Sequence, residues 1–218
     1  MAYYPIFTDL CGKRCVVIGG GLVAQRKITT LLGYGASIVL IGPEATKRMA
    51  AYAAQRRIRW IRRRFRPGDL AGAWLVYAAT DDRTINAQVH REAQRRRVFA
   101  NIVDQTPLCS FIAPSIMRRG ELVVAVSTGG ASPTLSKRLR RDLMERIGGE
   151  YGTMLRLLKN LRGRAKQRLP NYNDRKRYFD RLVQGDVFAL VRRGETARAR
   201  RKALTLLEAA VHHNGSGQ

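Results

Sequence analysis

Acidic residues are scarce in this chain: 16 Asp and Glu stand against 41 Lys and Arg over 218 residues, a net charge of +25. So large an excess surrounds the molecule with a positive field. Nucleic acid, an anionic membrane surface and a polyanionic small molecule are the partner classes it would suit. Cysteine is scarce too. Cys11, Cys15 and Cys109 form no C-x-x-C pair and leave one thiol over in any pairing scheme, as in proteins of a reducing compartment. With only three histidines, one of them alone on a predicted helix, no zinc or other metal-ligand set is expected. No apolar run nears the ~18 residues of a membrane span, and MAYYPIFTDL has neither the basic start nor the apolar core of a secretory leader. The expectation is a cytoplasmic protein without membrane attachment. The basic charge is spread along the chain, and neither a recognition helix nor a nucleic-acid-binding module stands out, which disfavours nucleic acid. A solvated, arginine-biased surface is the plain alternative.

What the chain does have is β-branched runs and glycine. Cys15–Ile18 is apolar without alternation, the pattern of a strand buried on both faces of a parallel sheet. Gly19, Gly21 and Ala24 follow as G-x-G-x-x-A. In that fingerprint the first glycine permits the turn, the second lets backbone approach a pyrophosphate, and the third small residue seats the helix on the strand. A glycine turn without a ligand is the alternative. Ile28, Leu31 and Leu32 continue at helical spacing, and Ser37–Ile41 supplies a second buried strand, completing a β-α-β unit.

Beyond it the sequence predicts a helix over 45–56, with Glu44 near the place where such folds put the carboxylate that binds the ribose of NAD. Lys47 and Arg48 would instead suit the extra phosphate of NADP. Strands are predicted over 58–65, 75–79 and 98–103, with a helix over 83–96. Thr80 and Asp81, at a carboxyl strand end, either line the ligand crevice or cap the following helix. Asn101 and Asp104 close the next strand. Asp104 is either a proton acceptor beside a hydride-transfer site or an ordinary turn residue. A hairpin over 110–117 and 122–126 follows, Pro114 pointing to an edge or bulge. Ser127, Thr128, Gly129 and Gly130 open the STGGASP turn, which is either a second anion site for a substrate carboxylate or a structural turn before a helix capped by Ser132. Three amphipathic helices are predicted over 152–169, 175–183 and 196–212, with a loose tail over 214–218. The fold class is therefore α/β: a Rossmann-type parallel sheet over 1–113, a small α+β segment over 114–149 and an all-α domain over 150–218.

PIF at 5–7, VVIGGGLVAQRK at 16–27, AATDD at 78–82, NIVD at 101–104, SFIAPSI at 110–116 and AVSTGGASP at 125–133 together resemble the precorrin-2 dehydrogenase family, the dehydrogenase and ferrochelatase part of siroheme synthases. The resemblance implies NAD as cofactor, with Leu22, Val23, Pro43 and Glu44 touching it beside the glycine turn. It implies dimerisation through the 114–149 segment by strand exchange. The substrate would be precorrin-2, an octacarboxylate tetrapyrrole, and the product sirohydrochlorin. Asp104 matches the aspartate implicated in catalysis. Ferrous iron would be bound only transiently, where the relatives insert it to give siroheme. Two departures are expected to matter. The sequence has no methyltransferase half, which leaves methylation to another protein, and Thr128 stands where bifunctional relatives often carry a phosphorylatable serine. A different class of function, an NAD- or tetrapyrrole-sensing module with a nucleic-acid-binding surface, is the alternative.

Overall fold

The computed structural model of the chain describes residues 3–215. Five parallel strands form one sheet in the order β3-β2-β1-β4-β5: β1 (Arg14–Ile18), β2 (Ser37–Ile41), β3 (Arg59–Ile61), β4 (Leu75–Ala78) and β5 (Phe99–Ile102). The chain lays β2 and β3 to one side of β1 and then returns to lay β4 and β5 on the other. The order of strand addition therefore reverses between β1 and β4, and ligands of such sheets bind at the carboxyl strand ends of that crevice. Alternate strand residues feed two cores. Cys15, Val17, Ile38, Leu40 and Tyr77 pack against helices α1 (Leu22–Leu32) and α2 (Lys47–Ala54). Val16, Ile18, Val39, Val76 and Ile102 pack against α3 (Arg83–Arg96). Burial on both faces is why these strands read as unbroken apolar runs.

Two strands differ from expectation. The third stops at Ile61, because the chain turns there so that Phe65 can enter the α3-side core, where it is 5% exposed. An ion pair fixes the turn: Arg63 Nη1 and Nη2 donate to Asp69 at 2.8 and 2.7 Å, and the Arg66 amide donates to the same carboxylate at 2.8 Å. Buried Glu92 of α3 then accepts from the amides of Gly68 and Leu70 and from Arg96. The segment read as a strand over 110–114 instead bonds back onto β5, and the hairpin strands are β6 (Ser115–Arg119) and β7 (Leu122–Val126). Pro114 thus lies just outside the ladder, where a missing amide hydrogen is tolerated. Gly120, at φ +61, takes the first central position of the two-residue turn.

The chain divides into two compact units, Met1–Ala113 with Gly129–Ala131, and Pro114–Thr128 with Ser132–Gln218. The second contains the hairpin, α4 (Pro133–Arg146), α5 (Gly149–Arg168), α6 (Tyr172–Gln184), α7 (Asp186–Arg192) and α8 (Thr196–Gly215). Helix α7 falls between the helices predicted over 175–183 and 196–212: it is two turns long and follows Gly185, too short to show a period. Its Val187, Leu190 and Val191 are nonetheless buried against α5, α6 and α8. Tyr178 donates to the Ala203 carbonyl at 3.0 Å inside this bundle, and burial pushes its phenol up to about 12. Helix α8 runs to Gly215, and the rest of the expected tail lies outside the described residues. No described helix is long and apolar enough to cross a membrane.

Candidate functional site

At the carboxyl edge of the sheet the chain packs backbone against backbone. Gly19, at φ +108, donates from its amide to the Ile41 carbonyl at 2.9 Å, and a Cβ there would lie 2.1 Å from the Ala79 carbonyl oxygen. A Cβ on Gly20 would lie 1.9 Å from the Glu44 carbonyl oxygen. Gly21 differs: it has φ −84, and a Cβ on it would meet nothing within 4 Å. The first two glycines are therefore required by protein, and the third faces open space. The fingerprint does not single out Gly20. Its signal was the redundancy of three glycines where G-x-G asks for two.

That space lies over the start of α1, whose cap residue is Gly21 and whose first turn has no side-chain cap and no acidic residue. Free amides and the positive end of an 11-residue helix suit a pyrophosphate. Leu22 is 70% exposed and Val23 half-buried at this turn. Pro43 and Glu44 are exposed just past β2, after Gly42, whose carbonyl accepts from Trp60 Nε1 at 2.9 Å. Arg48 is committed elsewhere, donating from Nε to the Tyr52 hydroxyl at 2.8 Å. The residues present thus fit a dinucleotide: a glycine cradle a side chain would fill, unfilled helix amides, and a carboxylate past β2.

On the other side of the crevice Asp82 caps α3, accepting from the Thr84 and Ile85 amides at 2.9 and 3.1 Å. Asp81 is exposed beside it. Thr80 shapes the turn: its hydroxyl accepts from the Asp82 amide at 3.2 Å, and its carbonyl accepts from Asn86 Nδ2 at 3.1 Å. Asn101 is buried, with Nδ2 donating to the Phe111 carbonyl at 3.0 Å.

Asp104 is exposed and left-handed, at φ +59, on the loop that leaves β5. Both ends of that loop are fixed. The Cys109 sulfur accepts from the Ile102 amide and donates to the Ile102 carbonyl, both at 3.2 Å. The Ser110 amide and hydroxyl both donate to the Ala100 carbonyl, at 2.8 and 3.4 Å. Lys27 of α1 reaches the same edge, with Nζ 4.8 Å from the Tyr77 ring centroid. Burial and then Arg26 push its ammonium below the usual lysine range, against the opposing pull of Asp104 and Cys109. Lys27 is the last residue of the VVIGGGLVAQRK motif. Its signal is helical phase, since it falls on the face of Ala24, Ile28 and Leu31.

Gly129 and Gly130, at φ +63 and +92, group with the sheet unit, where a Cβ on Gly130 would lie 3.6 Å from Thr106 Cγ2. Thr106 opens the 3-10 turn that follows Asp104. Ser127 and Thr128 group with the second unit. The Thr128 hydroxyl closes its own turn, donating to the Ser132 carbonyl at 3.0 Å and accepting from the Ser132 amide at 3.1 Å. Ser132 caps α4 by accepting from the Leu135 amide at 3.1 Å. Among the described residues no group of three or more His, Cys, Asp or Glu stands close enough to hold a metal ion.

Residues 6–115 match the family model described as NAD(P)-binding, 119–146 the model of the sirohaem biosynthesis protein central region, and 150–207 that of the sirohaem synthase dimerisation region. The chain is 41% identical over 202 residues to siroheme synthase 1 of Serratia proteamaculans, covering 93% of this chain and 42% of that protein. It is 40% identical over 207 residues to siroheme synthase 3 of Aeromonas hydrophila subsp. hydrophila, covering 94% and 44%. It thus spans less than half the length of these relatives. Among solved structures it is similar to SirC, precorrin-2 dehydrogenase, with a TM-score of 0.78 at 25% identity over 95% of this chain and 100% of that one. The fingerprint edge and the matches in sequence order along 6–207 agree: the chain carries the NAD(P)-binding region together with the central and dimerisation regions of the siroheme synthases, and it belongs to the precorrin-2 dehydrogenase family.

Proposed function

We propose that the chain oxidises precorrin-2 to sirohydrochlorin with NAD. The reaction removes one hydride and one proton from the macrocycle. When bound, the dinucleotide supplies the hydride acceptor, and the rest of the work falls to the chain. The Gly19–Gly21 backbone and the first amides of α1 hold the pyrophosphate, Leu22 and Val23 flank it, and Glu44 accepts from the ribose hydroxyls while Pro43 shapes the turn that carries it. The engagement of Arg48 with Tyr52 supports NAD over its phosphorylated form. Thr80 lines the opposite wall of the crevice.

The observation that carries the reading is the placement of Asp104. Its exposed carboxylate sits on a loop clamped at both ends, at the sheet edge that bears the glycine cradle. Asp104 takes up the proton released from the macrocycle, and a general base of this kind contributes about 10²–10⁴-fold. Asn101 anchors that loop through Phe111, and Ser127, Thr128, Gly129 and Gly130 are assigned to binding the substrate. The basic surface steers an octacarboxylate toward the protein. A homodimer belongs to the reading, and the exposed Leu135 and Leu139 of α4 are its first candidate contacts. Ferrous iron, where it is inserted, enters as substrate.

Purified protein mixed with precorrin-2 and NAD should yield the sirohydrochlorin spectrum and NADH in equal amounts. Asp104→Asn, which keeps a side chain tolerant of left-handed backbone, should lose about 10²-fold or more in kcat while binding NAD as the parent does. Absence of any NAD-dependent change in the parent rejects the activity, and parental kcat in the variant removes Asp104 from the chemistry. Adding ferrous iron to the product, against a protein-free control, separates iron insertion from dehydrogenation.

A further inference from the structure

The strands of the sheet begin at the edge opposite the glycine cradle, and an open cleft of about 740 Å³ starts there and runs along edge strand β3 to Arg62, just past its carboxyl end. Arg14 opens β1, Ser37–Val39 open β2 and Arg59 opens β3, and all of these line it together with the last turn of α2. A five-residue strand, about 16 Å long, separates the cleft's Arg14 end from the glycine turn. Five arginines surround the cleft: Arg14, Arg56, Arg57, Arg59 and Arg62, with no carboxylate among the lining residues. Its floor is apolar, from Ile38, Ala53 and Trp60.

None of the five arginines makes an ion pair among the described residues. Arg57 and Arg62 lie over the rings of Tyr52 and Trp60, at 4.7 and 4.3 Å from their centroids. Arg14 donates from Nη2 to the Asp69 carbonyl, yet its Nε is buried without an acceptor. Five guanidinium groups around one cavity repel each other, and an oxyanion between them removes that repulsion while accepting from their planar forks. The volume lies within the ~300–1,000 Å³ of small-molecule sites.

We propose that this cleft binds a small multivalent oxyanion, a molecule carrying several phosphates or carboxylates on an apolar frame, at a site separate from the dinucleotide edge. The site stands on its own geometry and does not depend on the reaction proposed above. Phosphates and carboxylates share the recognition chemistry, and two probes distinguish them: tripolyphosphate and benzenehexacarboxylate.

Calorimetric titration of the full chain with each probe, with and without saturating NAD, should show one saturable site per chain whose affinity NAD leaves unchanged. The tighter probe assigns the class. The double variant R57Q/R59Q should bind about tenfold or more weakly, whereas R162Q/R164Q, which removes two exposed arginines of α5, should bind as the parent does. Thermal melts monitor folding, and R56Q/R62Q replaces R57Q/R59Q if the latter does not fold. Absence of saturable binding by either probe overturns the proposal. So does displacement by NAD, or an equal loss in R162Q/R164Q, which would trace binding to the diffuse surface charge.

Discussion

A single methyl group placed on Gly20 or on Gly21 should separate the two demands made on the glycine turn. On Gly20 the new carbon would sit 1.9 Å from the Glu44 carbonyl oxygen and 2.7 Å from its carbon, where ordinary contact begins at 3.4 Å. The opposing atoms are backbone on both sides, so no side chain can swing away, and the β1–α1 and β2–α2 turns must separate by about 1.5 Å. Overpacking of this kind costs about 1–3 kcal/mol, and Gly20→Ala belongs at the upper end. For a chain of this size ~3 kcal/mol lowers the melting midpoint by roughly 6–12 °C. Gly21→Ala should melt within about 2 °C of the parent, because its Cβ meets nothing within 4 Å and its φ of −84 suits alanine. Its penalty should appear in NAD affinity, since the methyl occupies the space assigned to the pyrophosphate: about tenfold or more in Kd, or ~1.4 kcal/mol. Differential scanning calorimetry of the apo proteins and NAD titration of each give both numbers. Parental NAD affinity in Gly21→Ala would refute the cradle, and parental stability in Gly20→Ala would refute the close approach.

Acid should expose the Asp69 clamp. Burial works against its ionisation, but bonds from Arg63 and the Arg66 amide hold its carboxyl below the ordinary 3.8. A lowered folded value means the stabilisation is complete above the unfolded pKa and is lost as pH falls through the folded one. Asp69→Asn should therefore be less stable by about 1–2 kcal/mol at pH 7, with the difference shrinking in urea titrations run below pH 4. Thiol labelling should be equally selective. Cys11 is exposed, whereas burial pushes the Cys15 thiol up to about 11, so iodoacetamide at pH 8 should modify Cys11 in the native protein and Cys15 only after unfolding. In the proposed homodimer, Leu135→Glu with Leu139→Glu, at positions 47% and 41% exposed, should keep a parental circular dichroism spectrum and shift light scattering from dimer to monomer.

Much of the sheet was legible because its strands are buried on both faces, and such strands announce themselves as Val, Ile and Leu runs. Helix α3 was legible to the residue, since Asp82 caps its start and Arg97, at φ +55, ends it. Where tertiary packing overrides local pattern, legibility fails. IRWIRRRF has the composition of a long strand, yet three of its residues pair, because Phe65 is needed on the other face of the sheet. SFIAP reads as a strand and serves as a clamp. At the site, Gly19, Gly21 and Asp104 follow from spacing and strand ends. Gly20 depends on where the Glu44 carbonyl comes to rest, and Lys27 on which face of α1 meets the sheet edge. Neither fact is local to its own segment.

The clamp on the β5 exit also bears on the thermodynamics of substrate capture. A flexible loop carrying a general base must surrender conformational freedom each time a ligand arrives, at about 1–2 kcal/mol per ordered residue. Here Cys109 and Ser110 close the segment before anything binds, with six residues between Ile102 and Cys109 already confined. The entropy of ordering Asp104 is thus surrendered once, at folding, and affinity for a large, many-armed anion is not reduced by it at each turnover.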